Sequence, residues 1–203
     1  MGVDTEKLIL DTAKVHFVKK GFGASRMQEI ADEAGINKAL LHYYFRSKEK
    51  LYQKIIEQTL KSAFETFTEA FDKEGSFWER AEVLVHTYID YLSEHPETPV
   101  FIMSELSQKR EAFVDEVKKQ ANSFPSIASF AQSAMIAMQK GEIRTVDPIQ
   151  LILTVLSMSV FPFMAKPIFT TVFNVEDEDF NTLMAERKIF ILDFLKNALE
   201  IKS

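Results

Sequence analysis

Apolar residues recur at three- and four-residue intervals along most of the chain, the spacing that gives a helix one buried face. No segment sustains the two-residue alternation of a strand, so the predicted class is all-α. Ser25 with Gln28 three residues later has the form of a capping box, and Ile30, Ala31 and Ala34 give the helix it opens an apolar face. Gly35 ends that helix because glycine accepts the positive φ of a tight turn, Ile36 plugs the turn, and Asn37 is a preferred N-cap for the next helix. Over about 38–45, a rotation of roughly 100° per residue turns Leu41 and Phe45 inward and Tyr43 outward. Ala39 and Leu40 lie beside Tyr43, and His42 and Tyr44 occupy the two flanks.

Beyond this pair, Leu51, Ile55, Ile56, Leu60, Phe64, Phe67 and Phe71 predict one long helix from Lys48 to about Asp72. A further helix fits Phe77 to Glu94, and His95-Pro96 stops it. Residues 99–122 fit one or two helices, Pro125 restarts the pattern, and Lys140-Gly141 ends it. Asp147-Pro148 reads as N-cap and first-turn proline of a helix that runs to Pro162 or slightly beyond. Residues 166–178 carry no clear pattern, and a last helix is expected from about Asp179 to Lys202.

Residues 149–165 carry no charge, and the last helix has an apolar stripe too wide for one buried face. Left on a monomer, the two would expose a large apolar patch, so a symmetric self-association surface is expected, with Leu156, Val160, Met184, Ile191, Phe194 and Ala198 in it. A membrane span is disfavoured, because Gln150, Thr154, Ser157, Ser159 and Pro162 interrupt a stretch already short of the roughly 20 residues required.

The chain has 203 residues and 46% hydrophobic content, enough for a small N-terminal unit and a larger helical one. The expected division is 1–47 and 48–203, fused through the long helix. Absence of cysteine excludes a disulfide framework and thiolate metal sites and agrees with a reducing cytoplasm. The early apolar residues are interleaved with Glu6, Lys7, Asp11 and Lys14, so no signal peptide is expected. The net charge of −6 argues against a nucleic-acid partner until its distribution is examined. Residues 1–50 hold nine Lys/Arg against seven Asp/Glu, and residues 37–50 hold Lys38, Arg46, Lys48 and Lys50 against Glu49 alone.

A helix in the major groove places its outermost side chains on base edges and its flanks near the phosphates. The 38–45 helix suits this, with Leu40 available to pack on a thymine methyl. Lys48 opposes the positive end of its own helix, a poor site for stability, but free N–H groups beside a cation suit a phosphate. Arg26 and Gln28, at the start of the preceding helix, complete the expected DNA contacts.

The run Met27-Gln28-Glu29-Ile30-Ala31-Asp32-Glu33-Ala34-Gly35-Ile36-Asn37-Lys38, followed by Leu41-His42-Tyr43-Tyr44-Phe45-Arg46-Ser47-Lys48-Glu49-Lys50-Leu51, closely resembles the TetR family of bacterial transcription regulators. Ile9, Ala13, Phe17 and Gly21-Phe22 are similar to that family's first helix and its glycine stop. The resemblance covers about the first fifty residues. It implies a three-helix helix-turn-helix domain joined by a long helix to a ligand-binding and dimerisation domain, whose last two helices pair with their mates. It also implies that Tyr44 and Lys48 grip phosphates and that Lys38, Ala39 and Tyr43 face the groove. Leu40 stands where the family commonly has Thr or Ser, and His42 where it commonly has Tyr, so no operator sequence carries over.

Fifteen of eighteen phenylalanines and six of eight methionines follow residue 50. Such residues ordinarily fill a core. The resemblance implies a chamber among them, for which Phe67, His86, Tyr88, Met103, Glu105, Phe130, Met135 and Phe163 are the candidates, with a hydrophobic or aromatic effector. An enzyme finds little support. There is no H-E-x-x-H, E-x-x-H, phosphate-loop or G-x-S-x-G motif, and His16, His42, His86 and His95 lack metal-ligand spacing. No metal or cofactor is expected. The expectation is therefore a cytoplasmic homodimeric repressor that binds a pseudo-palindromic operator in double-stranded DNA and responds to a small effector. The alternatives are a helical protein-interaction adaptor and an activator without effector-controlled release.

Overall fold

The computed structural model describes residues 2–71, 75–108, 110–121 and 126–201, and every element among them is a helix. They are α1 (Gly2–Ala24), α2 (Met27–Glu33), α3 (Lys38–Tyr44), α4 (Lys48–Phe71), α5 (Phe77–Glu94), α6 (Thr98–Gln108), α7 (Arg110–Ala121), α8 (Ser126–Gln139), α9 (Pro148–Met164), α10 (Lys166–Val172) and α11 (Asp177–Leu199). The expected positions of Asp72, Pro125 and Lys202 fall outside the described residues.

The chain divides into two compact units, residues 1–62 with 100–118 and residues 63–99 with 119–203. In the first, Ile9, Ala13 and Phe17 of α1, Ile30 and Ala31 of α2, Leu41, Phe45, and Leu51, Tyr52 and Ile55 of α4 share one core with Phe101 of α6. Burying each aliphatic side chain contributes about 1.5–3 kcal/mol, which holds the short α2 and α3 in place although neither would persist alone. The helix-turn-helix turn is a Schellman motif: Ile36 N–H donates to the Ala31 carbonyl and Gly35 N–H to the Asp32 carbonyl, with Gly35 at φ 65°.

The α2 N-terminus departs from the expected capping box. Arg26 is the N-cap and makes no side-chain cap bond, whereas the buried Ser25 hydroxyl donates to the Gly21 carbonyl at 2.7 Å. The reason lies upstream, where Gly21 at φ 76° breaks α1 and leaves its carbonyl free for Ser25.

In the second unit α5 packs against α8, α9 and α11. Leu84, Ile89 and Leu92 of α5 meet Phe130 and Ala134 of α8, Leu151, Val155 and Phe163 of α9, and Phe180, Met184, Ile191 and Leu195 of α11. Local signals place the helix ends. Ser76 and Glu79 form a capping box on α5, the Asp147 side chain accepts from Ile149 N–H, and Glu142 N–H donates to the Ala137 carbonyl beyond α8. Arg144 closes α11, its backbone N–H donating to the Leu199 carbonyl and its Nε to the Ala198 carbonyl. The patternless 166–178 segment contains the short helix α10, opened by Pro167 in its first turn. No single described helix is long and apolar enough to cross a membrane, and although α9 and α10 qualify together by length and composition, they are bent by 51°.

Candidate nucleic-acid interface

The register expected of α3 is the one observed. Leu41 and Phe45 are buried, Tyr43 is 80% exposed, and Lys38 and Ala39 are exposed beside it. Asn37 Oδ1 accepts from Leu40 N–H at 2.8 Å, which fixes the first turn and the direction of the helix. Leu40, His42 and Tyr44 are half-buried; the Tyr43 and Tyr44 rings meet edge-on at 5.5 Å, and His42 Nδ1 lies 3.4 Å from the Arg46 carbonyl. Arg26 is exposed at the N-cap of α2 and Gln28 in its first turn, where Gln28 donates to Asp32 at 2.7 Å.

Lys48, expected to grip a phosphate, lies against backbone carbonyls of its own chain. Its Nζ donates to the carbonyls of Phe22 at 2.8 Å and Ser25 at 3.0 Å, with the Gly23 carbonyl at 3.5 Å, and sits 4.4 Å from the Phe22 ring centroid. These carbonyls lie at the broken end of α1, where helical donors run out. The ammonium is thus turned toward its own chain. A second feature that sequence reasoning missed is the buried His16, 1% exposed, whose Nδ1 lies 2.9 Å from Glu33 Oε2 and whose Nε2 lies 3.5 Å from Glu29 Oε2, joining α1 to α2. The i, i+4 pair Glu29/Glu33 was visible in the sequence, but nothing local aligned it with a histidine on the preceding helix.

The expected effector residues separate. Met103 and Glu105 belong to the first unit, and the other six to the second. Within the second, Phe67 packs on Tyr88 at 4.9 Å and on Tyr91 at 5.9 Å, and Tyr91 packs on His95 at 4.8 Å. Burial, with a smaller contribution from Tyr91, pushes the Tyr88 phenol up to about 12. His86 is half-buried, Met135 is exposed, and Phe130 and Phe163 are core residues packed on Phe77 and Phe180. His95 was the missed member of this aromatic cluster, although it shares one helix face with Tyr88 and Tyr91 by spacing. A separate cleft of about 170 Å³ between the start of α5 and α8 is lined by polar residues including Arg80, Ser129 and Lys140, and by none of the expected effector residues.

Two expected interface residues need correcting. Met184 and Ile191 are buried in the core of the second unit and present nothing outward. The exposed apolar side chains of α11 are instead Leu183, Ile189, Phe190 and Phe194, with Ile149, Leu153 and Phe161 exposed on α9. Leu156, Val160 and Ala198 are half-buried.

Residues 9–55 match the family model for bacterial regulatory proteins of the tetR family, and residues 79–194 match a tetracyclin repressor-like C-terminal domain. The chain belongs to the TetR family. Among TetR-family relatives it is 29% identical over 159 residues to the HTH-type transcriptional regulator RutR of Escherichia coli strain K12, covering 72% of this chain and 68% of RutR. A Clostridium perfringens structure provisionally described as a fatty acid metabolism regulator is 25% identical and superposes with a TM-score of 0.68, over 96% of this chain and all of the other. The transcriptional regulator FadR of Bacillus subtilis, solved with stearoyl-CoA, shares the fold at a TM-score of 0.62 and 16% identity, over 92% of this chain and 97% of FadR. As a TetR-family protein the chain is a DNA-binding transcription regulator, and α2 and α3 are its helix-turn-helix.

Proposed function

We propose that this regulator is a repressor that acts in the cytoplasm as a homodimer on a pseudo-palindromic operator, and that a small hydrophobic effector releases it. The observation that carries the reading is the outward face of α3, where Ala39 and Tyr43 project from a helix anchored by Leu41 and Phe45. Two such helices, one per protomer, suit successive major grooves roughly 34–36 Å apart. Lys38 faces the groove beside Ala39 and Tyr43, and Tyr44 and Lys48 supply phosphate contacts, with Arg26 and Gln28 at the adjoining start of α2. The exposed apolar side chains of α9 and α11 support self-association, since a patch of this kind is costly to leave in water.

The effector reading rests on the Phe67, Tyr88, Tyr91 and His95 cluster, an aromatic surface on α4 and α5 that suits an acyl chain or a ring. The stearoyl-CoA bound by FadR makes an acyl-CoA the first ligand to try. α4 contributes to both units, so a change in its second half is carried to the half that begins at Lys48.

Selection of random-sequence duplexes with the wild-type protein, followed by footprinting, tests the DNA-binding reading, and an inverted repeat is the expected product. Calorimetric titration of stearoyl-CoA with and without that duplex tests the switch. A hundredfold weakening of operator binding requires about 2.7 kcal/mol of coupling, and reciprocity demands the same loss of ligand affinity on DNA. Equal ligand affinities in the two titrations would remove acyl-CoA as the effector.

A further inference from the structure

Within the second unit, the cleft of about 170 Å³ between the start of α5 and α8 is walled by polar side chains where the unit's core is apolar. Arg80 of α5 is half-buried in that wall, and one of its terminal nitrogens donates to the Ser129 hydroxyl of α8 at 2.7 Å. No carboxylate among the described residues pairs with this guanidinium. The adjacent Glu79 carboxylate is engaged elsewhere, accepting from the Ser76 N–H and the Ser76 hydroxyl, each at 2.8 Å. A cation drawn halfway out of water loses hydration, and such charges are ordinarily matched by an anion. Gln132 of α8 and the exposed Lys140, just past its end, line the same cleft, and the Lys140 Nζ stands 3.8 Å from Glu142 Oε1. The lining therefore carries two cations against the single carboxylate of Glu142. Because Ser129 accepts from Arg80, its own O–H hydrogen is available to donate in turn.

We propose that this cleft binds a small phosphoryl-bearing anion, held by Arg80 and Lys140 with Ser129 and Gln132 as further donors. A carboxylate offers two oxygens in one plane, which a single guanidinium fork satisfies. A phosphoryl group carries three terminal oxygens and about −1.5 to −2 charge, so it engages the Arg80 fork, the Lys140 ammonium and the neutral donors together. Size limits the rest of the ligand. Drug-sized molecules occupy roughly 300–1,000 Å³, and a water's share of liquid volume is about 30 Å³, so the enclosed part of the ligand is a phosphate group with a few further atoms. None of the residues expected to meet a hydrophobic effector lines this cleft, so the site is a second one and does not depend on the effector reading. The bound anion bridges α5 to α8 and stabilises the second unit by mass action.

Trp78 supplies the readout. It is the one tryptophan of the chain, and its ring stands 5.0 Å from that of Phe77, which lines the cleft. Inorganic phosphate is titrated into the full-length wild-type protein at fixed pH, with sodium chloride balancing the ionic strength, while Trp78 fluorescence and melting temperature are followed. The expected result is a fluorescence change that saturates at millimolar phosphate or below, accompanied by a rise in melting temperature. A change that grows linearly without saturating is the general stabilisation that excluded salts give any protein, and it would overturn the site. Arg80→Gln should raise the midpoint about tenfold or more, the scale of a lost charge-assisted fork. Lys140→Glu, on an exposed side chain that folding does not need, should raise it roughly tenfold through loss and reversal of one charge, and it keeps the test decisive if Arg80→Gln fails to fold. A wild-type midpoint in Lys140→Glu would overturn the proposal. So would an Arg80→Gln protein that melts lower by the same amount with and without phosphate, since Arg80 would then be a brace between α5 and α8 and nothing more. Acetate in place of phosphate should give no saturation in the same range; saturation at an equal or lower concentration would overturn the phosphoryl assignment.

Discussion

Arg187 on α11 donates its Nε hydrogen to the backbone carbonyl of Met158 on α9 at 2.7 Å. Four residues after Met158 stands Pro162, inside α9 and without an N–H to give that carbonyl. The guanidinium therefore supplies the donor that proline removed, and burial lowers its pKa from the ordinary arginine value without discharging it. Arg187→Met should destabilise the fold by about 1 kcal/mol, the scale of one hydrogen bond lost at a part-buried carbonyl. Pro162→Ala in the same background should recover much of the loss, since an alanine there regains the N–H of the helical bond; denaturant melts of the four proteins measure the cycle.

Of the residues proposed to read bases, Leu40 offers the sharpest test, because it stands half-buried on the flank of α3 that also carries Tyr43. Leu40→Ala should lose discrimination at one symmetric base-pair position by about 1 kcal/mol. Replacing that thymine by uracil in the wild-type site should reproduce the loss. Fluorescence anisotropy with uracil walked through the half-site would show no penalty anywhere if Leu40 touches no methyl group.

Phe194 is 48% exposed on α11, on the same side as Phe190. Phe194→Glu should shift the protein toward monomer in sedimentation velocity while helical content persists, because a carboxylate in an apolar interface costs several kcal/mol unless it is protonated. Ile191→Glu should behave differently. Ile191 is fully buried in its own chain, so that variant should unfold the second unit instead of merely separating protomers. A wild-type protein that sediments as a monomer at micromolar concentration would dispose of the dimer.

Tyr88 links stability to alkaline pH. Its folded pKa of about 12 lies above the unfolded value of about 10, so the native state holds its proton more tightly. The stability this provides is complete below pH 10 and disappears as pH rises through 12. Tyr88→Phe should flatten the fall in melting temperature over that interval and remove one late-ionising phenol from the absorbance titration. An unchanged titration would show that Tyr88 ionises elsewhere.

The parts of this molecule that were legible in the sequence are the ones set by neighbours within a turn or two. Gly35, Asn37 and the Leu41/Phe45 register placed the helix-turn-helix, and Asp147-Pro148 and Lys140-Gly141 placed helix ends, because caps and turns are satisfied locally. The Ser25 cap failed for a reason just outside that range, the break of α1 at Gly21. The contacts of Lys48 and Glu105 lay out of reach, because their partners stand 23 to 26 and 53 residues away and periodicity does not register such separations. On α11 the apolar stripe was so wide that either side served equally as core, which is why Met184 and Ile191 were exchanged for the outward Phe190 and Leu183.

The anchoring of α3 from one side only has a consequence for how such a protein diversifies. Leu41 and Phe45 carry the helix's share of the core, while Ala39 and Tyr43 lie exposed. Substitutions at those outer positions are therefore nearly neutral for folding, within about half a kcal/mol. With base reading assigned to those positions, as proposed above, a duplicated gene can rewrite its DNA address there by single codon changes without first acquiring compensating mutations inside. Folding and addressing are inherited together but vary separately, so paralogues that share this scaffold can come to govern unrelated promoters.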